Sequence, residues 1–298
     1  MEQQVGLIGF GEAGSTFASE GDWGAAAHVF DIKSDGADTR AALLDAYAAA
    51  EISPAYALGD ALQGMGLILS LVTADQALAV AEAGAACIKP GALYCDLNSV
   101  APQTKQAAAR AIEAAGAHYV DVAVMAPVDP ARLNVPLLVS GERAEVAVAA
   151  LSRLGFANMR IVGADVGRAS AIKMIRSVMV KGMEALTAEC ILAADAAGVR
   201  AEVLASLDAS EKAKSWGERA DYVLDRMLVH GLRRAAEMEE VVKTLEGLGA
   251  GADLTRGTVT RQRALGALGV KAPPEGLDAK VAAITQYDSN IIGKADAA

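Results

Sequence analysis

Three closely spaced glycines near the start of the chain suit the binding of a phosphate group. Gly9, Gly11 and Gly14 follow an apolar run and precede a helical pattern. The first glycine permits a tight turn, the second lets the backbone approach a pyrophosphate, and the third lets the helix pack closely on the strand. Free N–H groups at the helix start would face the phosphates. The spacing predicts a dinucleotide-binding loop made of Gly9, Phe10, Gly11, Glu12, Ala13 and Gly14.

An acidic residue, Asp31, follows the second predicted strand at the distance that such a loop requires. Its carboxylate can accept hydrogen bonds from ribose hydroxyls and would repel a 2′-phosphate, which favours NAD over NADP. Lys33 lies two residues later and would weaken that preference. We therefore expect NAD as the cofactor, with NADP as the alternative. A glycine turn that binds nothing is the competing interpretation.

A second group of polar residues interrupts a long apolar stretch that is predicted to be one helix, Ala169–Ala197. At about 100° per residue, these side chains form one stripe on the helix. Burying charges costs several kcal/mol each unless they are paired, so the stripe indicates a wet cleft between domains or an internal ion network. A partly desolvated lysine in a cleft can transfer protons near neutral pH. The stripe consists of Lys173, Arg176, Ser177, Lys181 and Glu184.

Composition narrows the possible partners. The formal net charge is −10, which argues against binding to nucleic acid. Three widely spaced cysteines, Cys87, Cys95 and Cys190, predict reduced core thiols, and no residue spacing suggests a metal site. The N-terminus has no signal-peptide pattern and no run of about 18 apolar residues occurs, so we expect a cytoplasmic protein without a membrane span.

Strand and helix patterns alternate through the first half of the chain, which is typical of a mainly parallel sheet. After about Gly163 only helical patterns remain. We predict an α/β Rossmann-like dinucleotide-binding domain over residues 1–165 and an all-α substrate and dimerisation domain over residues 166–298, which starts with the long interdomain helix. The predicted strands are Val5–Phe10, His28–Ile32, Leu67–Val72, Ala92–Leu97, His118–Val124, Pro136–Ser140 and Arg160–Val162. The predicted helices include Ala74–Ala86, Pro102–Ala115, Ala169–Ala197, Ala201–Lys212, Glu218–Leu248 with a break near Gly231, Leu254–Leu268 and Gly276–Ile292.

Four motifs in this order resemble the β-hydroxyacid dehydrogenase family, which includes 3-hydroxyisobutyrate and 6-phosphogluconate dehydrogenases. The subgroup that the chain resembles most has a C-terminal helical domain called DUF1932. After the glycine loop, Asp96–Pro102 resembles the family segment near the nicotinamide, and Asp121–Pro127 stands at its substrate loop. In that loop the match is poor, because Met125 replaces a serine while Ala126 and Pro127 replace glycines. Val166–Lys173 matches the family spacing from glycine to lysine.

The resemblance implies that Lys173 is the catalytic general acid and base of a hydride transfer between the nicotinamide and a small anionic hydroxy acid or its carbonyl form. Arg176 and Ser177 replace two asparagines of the family and are expected to orient the acid group of the substrate. The nicotinamide is expected beside Val72, Thr73, Asn98 and Ser99. The expected substrate contacts are Asn98, Met125, Ala126, Arg176, Ser177, Lys181, His230 and Arg234.

The residues leave other interpretations open. His230 and Arg234 belong to a cluster on one helical face that could reach an active site of the same chain or of a partner in a homodimer, or could be a solvated surface. Imine reduction, oxidative decarboxylation of a 3-hydroxy acid and non-catalytic dinucleotide sensing are the competing functions. Lys173 argues against imine reduction, because related imine reductases usually carry another proton donor at that position.

Overall fold

The computed structural model describes residues 4–21, 23, 26–210, 214–249 and 251–295. The chain divides into two compact units, residues 1–179 and residues 180–298. The first unit contains a sheet and its covering helices, and the second is helical. The predicted fold class, a Rossmann-like α/β region followed by a helical region, is confirmed.

The first unit is built on an eight-stranded sheet. Its strands are β1 (Val5–Ile8), β2 (Ala27–Phe30), β3 (Ser53–Pro54), β4 (Leu67–Ser70), β5 (Leu93–Asp96), β6 (His118–Val124), β7 (Leu137–Ser140) and β8 (Met159–Gly163). All seven predicted strands are present. Their order in the sheet is β3-β2-β1-β4-β5-β6-β7-β8. Only the β6–β7 pairing is antiparallel among the described strands; the other neighbours are parallel.

Helices cover both faces of this sheet, so its central strands are buried on both sides, as parallel strands require. Every residue of β1, β4 and β5 is buried. The helices of the first unit are α1 (Glu12–Glu20), α2 (Ala37–Ala49), α3 (Leu58–Leu62), α4 (Ala77–Ala85), α5 (Pro102–Ala114) and α6 (Ala144–Arg153). Strand β3 and helices α2, α3 and α6 were not predicted from the sequence.

The long predicted helix, α7 (Arg168–Ala196), begins in the first unit and ends before Gly198, whose φ of 70° needs a glycine. The second unit continues with α8 (Arg200–Ser210), α9 (Trp216–Gly247), α10 (Asp253–Gly266) and α11 (Leu277–Ala295). Among the residues that the structure describes, no helix is both long and apolar enough to cross a membrane.

The predicted break at Gly231 is wrong, because α9 continues through it. A Cβ atom on Gly231 would lie 2.3 Å from the carbonyl oxygen of Gln262, and one on Gly266 would lie 2.3 Å from the backbone nitrogen of Leu232. The two glycines therefore serve a close crossing of α9 and α10. A second correction concerns the thiols: Cys95 is buried, but Cys87 and Cys190 are exposed.

Candidate active site

The glycine loop connects β1 to α1, as its sequence predicts. Gly9 has a φ of 91°, and a Cβ atom there would lie 2.4 Å from the carbonyl oxygen of Leu71. A Cβ atom on Gly14 would lie 2.4 Å from the carbonyl oxygen of Gly9, so this glycine allows the close approach of helix and loop. No protein atom lies within 4 Å of a Cβ position on Gly11, just before the N-terminus of α1. The loop thus has the backbone geometry that a pyrophosphate needs.

Asp31 lies at the end of β2 and organises the neighbouring backbone. One oxygen, Oδ2, accepts a hydrogen bond of 2.8 Å from the N–H of Phe10, and Oδ1 accepts one of 2.9 Å from the N–H of Lys33. Each carboxylate oxygen has a further lone pair for a ligand hydroxyl. Asp31 therefore links the glycine loop to the residues that would surround a ribose.

A cavity of about 430 Å³ extends from the glycine loop past Asp31. Most of its wall is apolar, with polar groups near the loop and at the strand ends. The residues present fit the adenosine portion of a dinucleotide, because the wall is mostly apolar and includes the carboxylate of Asp31. The lining residues from the predicted cofactor set are Gly9, Gly11, Glu12, Ala13, Asp31, Lys33, Val72 and Thr73.

A second cavity of about 440 Å³ shares part of that wall. Glu12, Ala13, Leu71, Val72 and Thr73 line both cavities. The second cavity is also lined by residues that lie far apart in sequence, which the fold brings together at the carboxyl ends of the strands. These residues include Asn98, Ser99, Ala126, Pro127 and Lys173.

Lys173 is the cationic residue among those lining this second cavity. Its Nζ donates a hydrogen bond to Ser99 Oγ, so an amine and a hydroxyl meet at the wall of the cavity. Arg176, one turn further along α7, is exposed, and its Nη1 donates a hydrogen bond of 3.4 Å to the carbonyl oxygen of Met125. Ser177 Oγ donates to the carbonyl oxygen of Lys173 at 2.9 Å. The predicted stripe thus places Lys173 in the cavity wall and Arg176 against the loop that carries Met125.

Asn98 has mostly internal partners. It is 4% exposed. Its Nδ2 donates to Ser70 Oγ at 3.0 Å, and its Oδ1 accepts a hydrogen bond of 2.6 Å from the N–H of Val72. The amide therefore ties the end of β4 to the segment after β5. Its position supports the wall of the cavity, and a ligand contact by Asn98 stays a prediction.

A buried charged network, which was not predicted from the sequence, is bonded to the backbone of Asn98 in the cavity wall. Lys105 Nζ lies 2.9 Å from Asp96 Oδ1 and 3.3 Å from Asp121 Oδ1, and these three side chains are at most 1% exposed. We refer to Asp96, Lys105 and Asp121 as the buried triad. Tyr119 donates a hydrogen bond of 2.5 Å to Asp96 Oδ2. Burial and the charge of Asp96 raise the pKa of the Tyr119 phenol, which keeps it protonated as a donor.

A sequence signal for the triad does exist. Asp96 ends a strand that is buried throughout, and Asp121 interrupts a strand that is buried at every position after His118. Lys105 shares the buried face of α5 with Ala108, Ala109 and Ile112. A charged residue on the apolar face of a helix needs an opposite charge on the sheet beneath it. Lys105 could therefore be paired with the two strand aspartates from the sequence.

The remaining predicted residues lie outside this cavity's described wall. The side chain of Lys181 lies outside the described residues. His230 and Arg234 belong to α9 in the second unit, and their role stays a prediction. Within the described ranges, no group of three or more His, Cys, Asp or Glu side chains could hold a metal ion.

Comparisons with known proteins agree with this geometry. Residues 4–159, more than half of the chain, match the family model described as the NAD binding domain of 6-phosphogluconate dehydrogenase, and residues 194–265 match DUF1932, a domain of unknown function. A conserved hypothetical protein from Sinorhizobium meliloti 1021 is 35% identical, with 96% of this chain and 97% of that one covered and a TM-score of 0.60.

Two further solved structures are similar. The conserved protein MTH1747, described as structurally similar to 3-hydroxyacid dehydrogenases, is 28% identical over 88% of this chain and 96% of that one, with a TM-score of 0.55. An imine reductase from Myxococcus stipitatus, solved with NADP+, is 18% identical over 87% of this chain and 93% of that one, with a TM-score of 0.64, and shares the fold.

The fold and the glycine loop place the molecule in the class of NAD(P)-binding dehydrogenases and reductases. The chain belongs to the family that carries the NAD binding domain of 6-phosphogluconate dehydrogenase, here joined to a DUF1932 domain.

Proposed function

We propose that the protein transfers a hydride between NAD(P) and a small anionic hydroxy acid or its carbonyl form, with Lys173 as general acid and base. The observation that carries this proposal is the position of Lys173. Its amine meets Ser99 in the wall of a cavity of about 440 Å³ that shares five lining residues with the candidate cofactor cavity.

The bound nicotinamide supplies the acceptor or donor for the hydride. In the oxidation direction, the neutral amine of Lys173 removes the hydroxyl proton while the C–H bond gives up its electron pair with the hydride. In the reduction direction, the ammonium group donates a proton to the carbonyl oxygen. Ser99 Oγ accepts a hydrogen bond from Lys173 and thereby holds the amine at the cavity wall. Such proton transfer accelerates the reaction by about 10²–10⁴-fold.

Arg176 supports the choice of an acidic substrate. Its guanidinium is exposed next to the backbone of Met125. Since only Nη1 donates to Met125, the other N–H groups of the guanidinium can form a bidentate contact with a carboxylate. The whole chain carries a net charge of −10, so a substrate anion needs a local cation to bind. Arg176 provides such a cation one helical turn from Lys173, whose ammonium form adds a second one in the reduction direction.

Imine reduction is the second candidate, since an imine reductase shares the fold. Its reactive species is an iminium cation, which would share the cavity with the ammonium group of Lys173. Two like charges within one cavity repel each other, most strongly away from water. Glu12 also lines this cavity, so the preference for a hydroxy acid rests on Lys173 as the neighbour of the reacting group.

The test is a paired screen for oxidation of hydroxy acids with NAD and NADP and for reduction of aldehyde acids, keto acids and cyclic imines with the reduced cofactors. We expect turnover of one acid pair and none with imines. Lys173→Met should keep cofactor binding and lower kcat by about 10²–10⁴. Lys89→Met, at an exposed lysine of the same unit, is the matched control.

Near-normal turnover in Lys173→Met would overturn the assignment of the general acid and base. Cofactor binding without turnover of any compound would favour a dinucleotide sensor, and release of carbon dioxide during oxidation would identify a decarboxylase.

We also propose that the protein works as a cytoplasmic homodimer. Support for a second copy comes from α7, where five large apolar side chains on one face are exposed. They are Ile172, Ile175, Met179, Met183 and Leu186.

A further inference from the structure

The buried triad has a charge arrangement that stability alone does not explain. Two carboxylates share one ammonium group in a site that is at most 1% exposed. Desolvation costs several kcal/mol for each ion, and well-packed apolar residues of similar volume often stabilise a fold equally well or better. Tyr119 uses a further hydrogen bond to satisfy Asp96. The two carboxylates also bind backbone N–H groups outside the triad.

Asp96 holds the segment that carries Ser99. Its Oδ1 accepts a hydrogen bond of 2.8 Å from the N–H of Asn98, directly before Ser99. The side-chain oxygen of Asn98 in turn accepts a hydrogen bond from the N–H of Val72, which lies in the wall shared by the two cavities. Because a carboxylate bond to a backbone N–H is charge-assisted, it fixes this turn more firmly than a neutral acceptor would.

Asp121 holds the first turn of α7. Its Oδ2 accepts a hydrogen bond of 2.9 Å from the N–H of Ser170 and one of 3.3 Å from Ser140 Oγ. Ser140 Oγ in turn accepts a hydrogen bond of 3.1 Å from the N–H of Ala169. These N–H groups are unpaired within the helix itself, and a negative charge at a helix N-terminus is favourable. Lys173 lies about one helical turn beyond this anchor.

The two anchors are connected at both ends. Asp96 and Asp121 are partners in the register of β5 and β6, and Lys105 lies between their carboxylates. At the cavity, the hydrogen bond from Lys173 to Ser99 connects α7 directly to the Ser99 segment. The first turn of α7 and the Ser99 segment are thus both bonded to the same ion cluster.

We propose that the buried triad is a positioning device that holds the first turn of α7 and the Ser99 segment in register, so that Lys173 meets the substrate at the right place. The proposal rests on the proposed function of Lys173. Its residues act through Lys173 and Ser99 and do not touch the substrate themselves.

The test weakens the Asp121 anchor in two independent ways. Asp121→Asn keeps the size of the side chain and removes its charge, and Ser140→Ala removes the acceptor for Ala169. The matched control is Val139→Ala, one residue earlier on β7. Leu138 packs with Ala169 on one face of the sheet, whereas Val139 belongs to the core cluster on the opposite face. Val139→Ala therefore lowers stability without removing a contact of the Asp121 anchor.

One readout is independent of activity: labelling of Lys173 by an amine-reactive reagent, measured by peptide mass spectrometry relative to exposed Lys89. We expect a several-fold rise in this ratio in Asp121→Asn and Ser140→Ala, and none in Val139→Ala. Once a substrate is identified, kcat should fall by about tenfold to 10²-fold in Asp121→Asn and Ser140→Ala, while the dissociation constant for NAD(P)H stays unchanged.

A wild-type labelling ratio in folded Ser140→Ala and Asp121→Asn would overturn the proposal and leave the triad a structural feature. If Asp121→Asn does not fold, the comparison of Ser140→Ala with Val139→Ala decides. A wild-type protein that turns over no substrate would refute the proposed function, while the labelling ratio would still decide whether the triad positions Lys173.

Discussion

Asp31 combines two tasks at the residue scale, since it shapes the backbone around the glycine loop and faces the candidate ribose site. Replacing it with asparagine leaves only one acceptor oxygen for the two N–H groups of Phe10 and Lys33. It also removes the negative charge that would repel a 2′-phosphate. We expect Asp31→Asn to shift the ratio of NADPH to NADH affinity by about tenfold towards NADPH, or about 1.4 kcal/mol.

Fluorescence titration with both reduced cofactors measures this ratio. Asp35→Asn, at an exposed carboxylate of the same turn, is the matched control and should leave it unchanged. An unaltered ratio in Asp31→Asn would mean that Asp31 acts on the backbone alone and that other residues select the cofactor.

The same residues mark what local sequence can predict. Gly9, Gly11 and Asp31 follow a spacing set by one strand, one turn and one helix, so their geometry is readable from neighbours along the chain. The buried triad depends on the alignment of β5 with β6 and on the docking of α5, over separations of up to 25 positions between Asp96 and Asp121. No local pattern encodes that alignment, although the charge of Lys105 on an apolar helix face hints at it.

At the scale of elements, a side chain from one helix caps another within the second unit. Glu189 of α7 accepts hydrogen bonds of 3.0 Å from the N–H groups of Leu254 and Thr255, at the N-terminus of α10, and one of 2.5 Å from Thr255 Oγ1. Burial acts to raise the pKa of Glu189, but these hydrogen bonds and the nearby Arg256 outweigh it and hold the pKa below its usual value.

A lowered pKa in the folded state means that the ionised form of Glu189 stabilises the fold above its unfolded pKa and loses that effect as the pH falls through the folded value. We expect Glu189→Gln to lower the free energy of unfolding by about 1 kcal/mol at neutral pH, the usual value of a helix cap. The difference should shrink as the pH falls below about 4, where the unfolded carboxyl becomes protonated.

Chemical denaturation at neutral and acidic pH measures this difference. Glu246→Gln, which removes an exposed ion pair with Arg256 and no backbone contact at α10, is the control and should have little effect at either pH. An equal loss in Glu189→Gln at both values of pH would contradict a role for its charge.

Helix α9 explains why one element was predicted wrongly. Glycine is unfavourable inside a helix, so Gly231 suggests a break when the helix is considered by itself. In the fold, its missing side chain admits the backbone of α10 at Gln262 and Gly266. The gain comes from packing between residues more than 30 positions apart, which helix propensity does not include.

At the scale of the whole molecule, the exposed apolar face of α7 sets the expected assembly. Ile175 is 71% exposed, and large apolar side chains recur along the same face at helical spacing. Burial of such a side chain contributes about 1.5–3 kcal/mol, which a second copy of the chain would provide. In a twofold dimer the same face of α7 on each chain packs against the other, so one apolar face is enough to form the interface.

We expect the wild-type protein to have twice the mass of its 30.4 kDa chain in size-exclusion chromatography with light scattering. Ile175→Glu should shift it to the monomer with unchanged helical circular dichroism, because a buried unpaired charge is costly at an interface. Val146→Glu, at an exposed apolar residue of α6, should leave the dimer intact. A monomeric wild-type protein, or an Ile175→Glu variant as dimeric as the control, would show that this face of α7 has another role.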